Sequence, residues 1–322
     1  MLLGLRLLVS LLLIAFILAK VDFDRLRALF ASISLPYFFL ALFLVTVERV
    51  LLAYKWNVLL AKKKLNIPFI KLLKIYYASI FVGTFLPSSL GVEIFRSYSL
   101  AKYNSNPAES VSSVFVDKII ALCSSFIVVL VNVLLFSGLI ANKYIIPITL
   151  IMTATFVVFS IIIINQAIMQ AVINSFSLIN LKNLQNKIQK FYNAFSEYMA
   201  YKGALFYVLM LSFLLQVVRV LDVYAVSLSL KQEVALAHFF IFVPIIIILT
   251  MLPLSLAGIG IREGAFVYFF SQVGMTVSEA FALSVLIYVL TMISILPGGI
   301  IFALGGISIK SAQTIMETKT ES

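Results

Sequence analysis

The sequence predicts an all-α, polytopic integral membrane protein: a helical bundle with an internal repeat, inverted under one topology, and with broken or re-entrant helices. Three observations predict it. Hydrophobic residues make up 63% of the 322 and charged residues only 11%, against roughly a quarter charged in a soluble domain. Mean hydropathy is +1.13, and apolar runs recur at the length, about 20 residues, that carries a helix through about 30 Å of hydrocarbon. Finally, two distant runs end alike, in LPSSLGVEIFR from Leu86 to Arg96 and in LPLSLAGIGIREG from Leu252 to Gly264. A Pro, Ser and Gly cluster beside charges is a poor continuation of a membrane helix, so its recurrence points to a polar site inside the bilayer.

The apolar runs fall at residues 3–19, 36–60, 69–87, 112–140, 144–165, 204–230, 234–256 and 278–308. The first begins at Arg6 without a strong positive region and has no small-residue cleavage pattern before Lys20, which makes it an uncleaved span. Eight segments packed together leave no room for a separate soluble domain, so residues 1–310 read as one membrane domain and 311–322 as a polar tail without assigned function. Between the fifth and sixth runs, Leu181, Leu184, Ile188, Phe191, Phe195 and Met199 recur at spacings of three and four, with Lys182, Lys187, Lys190 and Glu197 on other faces. This predicts an amphipathic helix over about 176–200, lying in the headgroup region or capping the bundle.

The net charge of +11 is carried by short loops and span ends, without the aromatic and basic stripe of a nucleic-acid binder. Topology and anionic lipid explain it, and no nucleic-acid partner is expected. Cys123 is the sole cysteine, which excludes an internal disulfide and a cysteine metal cluster. His238, also alone, reads as a packed side chain. No metal and no cofactor are expected.

The echo between the two clusters extends upstream. Arg49-Val50-Leu51 with Tyr54 reappears as Arg219-Val220-Leu221 with Tyr224, 170 residues later at every position. Arginine and proline are 38 residues apart in the first copy and 34 in the second. The expected repeat-related halves are 36–140 and 204–308. Positive charge then tests topology. Lys62, Lys63, Lys64, Lys71 and Lys74 mark a cytoplasmic loop; if every run crossed fully, the lysines of the amphipathic helix would fall outside. If residues 69–102 instead turn back as a hairpin, all large lysine clusters become cytoplasmic, along with both termini, and the two repeats have opposite topologies. Inverted repeats with broken helices meeting at the midplane are a transporter architecture.

Charged residues inside a bilayer cost roughly 2.5–3.5 kcal/mol each on insertion scales, so they face a polar interior or pair off. Glu48, Arg49, Glu93, Arg96, Asp117, Lys118, Arg219, Asp222, Arg262 and Glu263 lie in or beside apolar segments. Local pairing would join Glu93 to Arg96 and Arg219 to Asp222, each three apart on one helical face, with Asp117 and Lys118 at a span end. The functional alternative uses the breaks. Ser88 and Ser89 after Pro87 can cap a new helix whose free N–H groups favour an anion, with Gly91 giving the ligand room. Ser255, Gly258 and Gly260 offer the same arrangement, with Arg262 behind. The candidate substrate-binding set is therefore Arg49, Ser89, Gly91, Glu93, Arg96, Arg219, Ser255, Gly258, Gly260, Arg262 and Glu263, its arginine forks suited to phosphate. Gly298, Gly299, Gly305 and Gly306 read as packing glycines.

Catalytic motifs are lacking: there is no HExxH, no Walker loop and no aspartate-rich motif for magnesium and diphosphate. Transport is expected rather than catalysis, with no catalytic residue assigned.

At these residues the chain resembles the flippase-like transmembrane family named for the membrane domain of lysylphosphatidylglycerol synthase. The resemblance covers nearly the whole length. It rests on Lys55-Trp56 with Leu59-Leu60, on Leu86-Pro87 with Gly91, Glu93 and Arg96, on Asp117-Lys118, and on Pro253, Ser255, Gly258, Gly260, Arg262 and Glu263. It departs where Gly91-Val92-Glu93 replaces the family's Gly-Gly-Asp, and where Asp117-Lys118 replaces an acidic-Arg pair. No counterpart of the full synthase's aminoacyl-transfer domain is recognised, so lysine transfer is not expected. The resemblance implies a lipid flippase or transporter of the cytoplasmic membrane that moves an anionic phospholipid or lipid-linked phosphate. Its rivals are a transferase acting on polyprenyl-phosphate lipids and a non-transporting scaffold subunit.

Overall fold

The structure is a computed structural model and describes residues 2–63, 65, 67–86, 90–104, 106–135, 145–178, 182–251, 255 and 258–306. Among them all regular structure is helical. The helices are α1 (Leu2–Leu18), α2 (Phe23–Ala31), α3 (Leu35–Lys62), α4 (Phe69–Phe85), α5 (Gly91–Asn104), α6 (Pro107–Leu135), α7 (Ile145–Ile164), α8 (Gln166–Leu178), α9 (Lys182–Tyr198), α10 (Lys202–Ser229), α11 (Leu236–Met251), α12 (Ile261–Ser271) and α13 (Val277–Ile301), which ends in a π-helical turn, Phe302–Gly306.

Four of these, α3, α6, α10 and α13, are long and apolar enough to cross a membrane. At 1.5 Å per residue, the 28 residues of α3 reach about 42 Å. Large apolar side chains such as Leu11, Phe43, Phe85, Leu134 and Leu135 remain exposed on the bundle, as a lipid-facing surface requires. The protein is a multi-pass membrane bundle.

The predicted run 69–87 is followed by a return helix. Across α4 and α5, Gly83 and Gly91 sit at the tip, where a Cβ on Gly91 would lie 2.8 Å from the Gly83 carbonyl oxygen. At the other end, the Lys71 ammonium lies 4.0 Å from the Tyr103 ring centroid. The start of α4 and the end of α5 therefore occupy the same side of the bundle. With 17 and 14 residues, the helices reach about 25 and 21 Å, short of the 30 Å core. A second hairpin has the same construction: Phe239 and Phe242, near the start of α11, stack against Phe270 and Phe269 at the end of α12.

Element order thus runs long, short, short, long in both α3–α6 and α10–α13. Before the break the counterparts start 167 residues apart, and after it 170, because the 17 residues of α4 are followed by a link of five, and the 16 of α11 by a link of nine. The long helices α3 and α10 form the most extensive contact in the bundle and run antiparallel. Ser34 accompanies Ser229, Glu48 meets Arg219, and Lys55 meets Ser212. Partners are exchanged between the halves: α13 packs on α4, with Gly298 against Tyr77, while Asn132 of α6 donates to the Phe240 carbonyl of α11 at 2.8 Å. Like units that swap partners around an antiparallel pair approach the membrane centre from opposite sides.

The amphipathic helix is shorter than the sequence indicates. Gln166–Leu178 forms the separate helix α8, and Leu181 lies outside the described residues. The apolar face of α9 is covered by protein: Tyr192, Phe195 and Tyr198 are buried in a cluster with Leu59, Val116 and Val208, and Phe115 meets Phe191 edge-on. Of the two readings offered by the pattern, capping holds. Lys63 pairs with Glu197, which places α9 beside the end of α3 and brings its exposed Lys187 and Lys190 to the end of the bundle that carries Lys62, Lys71 and Lys102. The helices α1 and α2 cover the other half. Gly260 lies under Leu13 and Ser10 of α1, and Asp22 N–H donates to the Ser278 hydroxyl at 2.9 Å.

Candidate functional site

Charged groups from α3, α5 and α6 meet inside the first half. Asp117 of α6 accepts from both terminal nitrogens of Arg96 at 3.1 Å and lies 3.0 Å from the Lys55 ammonium. One carboxylate serves two cations. All three residues are buried, Lys55 at 1% exposure. The Arg96 guanidinium lies 4.2 Å from the Trp56 ring centroid and 5.0 Å from that of Tyr76. These faces supply the cation–π contact available to a weakly hydrated guanidinium. Trp56 is fixed in turn by its indole N–H, which donates to Ser113 Oγ at 3.3 Å. The Arg96 Nε is buried without a partner.

A second charged group lies on the α3–α10 crossing. Arg219 donates its Nε to Glu48 at 2.9 Å and a terminal nitrogen to the same oxygen. Arg49, next to Glu48, keeps its Nε buried without a partner, and so does one oxygen of Asp222. Tyr76 joins the two groups, being close enough to interact electrostatically with Arg49 and Glu48 on one side and with Arg96 and Asp117 on the other. If every group is ionised, Lys55, Arg96, Arg49 and Arg219 outnumber Asp117, Glu48 and Asp222 by one positive charge.

The local pairs expected from three-residue spacing are replaced by links between helices. Arg96 turns from Glu93 to Asp117, Glu93 binds Lys118, and Arg219 turns from Asp222 to Glu48. Asp117 lies ten residues into α6 and is buried. The physical reason is burial: once Arg96 points into the bundle, only a carboxylate on a facing helix can reach it, whereas Glu93 and Lys118 stay partly exposed.

The glycines of the expected cradle sit against protein. Gly91 faces Gly83 and Leu86, so its missing Cβ lets α4 and α5 approach. Gly258 and Gly260 adopt φ of 79° and 86°, a left-handed backbone that favours glycine, and a Cβ on Gly260 would lie 2.9 Å from Leu13. Ser255 is buried with an unpartnered hydroxyl; Pro87, Ser88, Ser89 and Pro253 lie outside the described residues. Glu263 accepts the Gly260 N–H at 2.7 Å and also binds Arg262, whose guanidinium is 4.6 Å from the Tyr288 ring centroid. Among the described residues Arg262 has no ion pair, hydrogen bond or ring contact with the central groups. Arg49, Arg96 and Arg219 are gathered; Arg262 and Glu263 form a separate pair. Gly298 and Gly299 pack on Tyr77 and Phe81, as the pattern indicates.

Lys55, Trp56, Tyr76, Glu48 and Asp117 belong to the central site yet were absent from the candidate substrate-binding set, although Glu48 and Asp117 stood among the charged residues in apolar segments. A lysine deep in an apolar run beside the sole tryptophan was the available signal. For Tyr76, one of 14 tyrosines, there was none. Among the described residues no group of three or more His, Cys, Asp or Glu could hold a metal.

No curated protein matches the chain. The family model for the lysylphosphatidylglycerol synthase TM region matches residues 3–299, nearly the whole length. The chain belongs to the family of the lysylphosphatidylglycerol synthase transmembrane region.

Proposed function

We propose that the protein moves an anionic phospholipid or a lipid-linked phosphate across the cytoplasmic membrane, binding the phosphate between the two halves of the bundle. The observation that carries this reading is the buried Lys55–Asp117–Arg96 cluster, in which two cations share one carboxylate and the guanidinium keeps a free Nε. An incoming phosphate can replace Asp117 without exposing either cation to lipid. Arg49 and Arg219 continue the positive path on the α3–α10 crossing. Arg262, oriented by Glu263, serves the hairpin on the other side. Two hairpins entering from opposite sides supply elements that can open in turn, with the end bearing Lys62, Lys63 and Lys71 in the cytoplasm by the positive-inside rule.

The test uses proteoliposomes with a fluorescent anionic phospholipid and measures its protection from an impermeant quencher. Arg96→Ala and Lys55→Met are expected to slow translocation at least tenfold while leaving a folded protein. Unchanged rates in both would remove the site assignment. New lipid products formed from a polyprenyl-phosphate and a donor would instead identify a transferase.

A further inference from the structure

Asp222 stands apart from every other buried carboxylate among the described residues. It is 7% exposed, it takes part in no ion pair, and its Oδ1 has no hydrogen-bond partner. Glu48 is held by Arg219, Asp117 by Lys55 and Arg96, and Glu263 by Arg262 and the Gly260 N–H. An ionised carboxylate taken out of water without a partner costs several kcal/mol, and a bound proton removes that cost.

The surroundings select a proton over a metal ion. The groups that interact electrostatically with Asp222 are Glu48 and Arg49 from α3 and Arg219 from its own helix; α6, α11 and α13, which also pack on α10, bring no charged group to it. From α4, Tyr76 reaches Arg219. A lone carboxylate offers a metal ion too few oxygen ligands, whereas a proton needs one; burial and the neighbouring Glu48 favour that proton, against the pull of Arg49 and Arg219 for the ionised form. Arg49 and Arg219 are also counterparts in the repeat, and Glu48 and Arg219 meet where α3 and α10 cross. Asp222 follows Arg219 by three residues, on the same face of α10.

We propose that Asp222 is a proton-binding site whose occupancy decides whether Arg49 is free to bind phosphate, which makes lipid movement proton-coupled. With the carboxylate ionised, Asp222 competes for Arg49, whose Nε is otherwise unpartnered. When the carboxylate takes one proton from water it becomes a neutral acid and releases Arg49 to an anion. Nothing is oxidised or reduced; one O–H bond forms on loading and breaks on release. The coupling to lipid rests on the function proposed above, while the proton site does not.

Two measurements on the full-length protein keep these apart. Infrared difference spectra across a pH titration of the reconstituted protein should show a buried carboxylic-acid C=O band that vanishes in Asp222→Asn and persists, shifted, in Asp222→Glu. A band that survives unchanged in Asp222→Asn, or no such band in the wild type, overturns the proton site. In proteoliposomes carrying the fluorescent anionic phospholipid, a pH gradient should change the wild-type rate at least about fivefold, the low end of coupling between linked sites. The Asp222→Asn variant should translocate at a rate indifferent to the gradient; a variant that follows the gradient like the wild type overturns the coupling. If the wild type moves no lipid at any pH, the transport reading fails, and the infrared band alone decides the proton site.

Discussion

The two halves share one frame and fill it with opposite chemistry. In the first, Lys55, Trp56, Arg96 and Asp117 form a buried ionic cluster; in the sequence register of the repeated arginines, 170 residues later stand Ala225, Val226, Phe266 and Ile287, within an apolar core that runs through α10, α11, α12 and α13. Only the acidic position survives in both hairpins, as Glu93 and Glu263, and even there the use differs: Glu93 reaches across to Lys118, Glu263 folds back on its own helix start. The backbone arrangement therefore does not require the charges. The second half shows that greasy packing holds the same hairpin, so the first half retains its ions for something other than stability, in keeping with the weak net contribution of buried ion pairs.

The sharpest way to test that contrast is to write the second half's residues into the first. The triple variant Lys55→Ala, Arg96→Phe, Asp117→Ile is expected to fold, with a melting temperature close to that of the wild type, and to lose lipid translocation entirely. Unfolding of the triple variant would show that the charges are structural. Removing the shared carboxylate alone is far worse for the fold than removing either cation, which leaves Asp117 still paired. Asp117→Ala strands two buried cations and should cost about 3–5 kcal/mol, read as a large drop in thermal midpoint in detergent.

A smaller effect separates packing from charge. Gly298→Ala puts a Cβ 2.2 Å from the Tyr77 carbonyl oxygen, and overpacking of this kind costs about 1–3 kcal/mol. Gly203→Ala, with nothing within 4 Å of the new Cβ, should be neutral or slightly stabilising in the same melting assay. Least of all is expected from Glu93→Gln, because the Lys118 pair is partly exposed: a change of about 0–1 kcal/mol, diminishing further with salt.

Much of the frame could be read from the letters because a bilayer imposes length and polarity on every span. The predicted runs coincide with α1, α3, α4, α6, α7, α10, α11 and α13 to within a few residues at most ends. The return helix α5 was legible as the second arm of a hairpin over 69–102, and α12 as a new helix behind Ser255, Gly258 and Gly260; neither shows as an apolar run, since Gly91–Asn104 mixes charged and apolar residues and the 11 residues of α12 are too few for a span. Charge pairing was less legible. Three-residue spacing favours Glu93 with Arg96, but the direction in which Arg96 points depends on Trp56 and Tyr76 from two other helices, which no local pattern contains. The offset of 170 between Arg49 and Arg219 was visible; that Arg219 would reach back to the Glu48 beside its own counterpart required the antiparallel crossing.

The seat of Gly298 on Tyr77 also governs how the protein is made. About two thirds of the chain separates these two residues, and at about 5–20 residues per second the ribosome needs roughly 10–40 s to deliver the glycine after the tyrosine. Throughout that interval the first hairpin, with its buried ions, lacks the helix that closes its flank. A chain cut short before Pro297 would leave that flank uncovered.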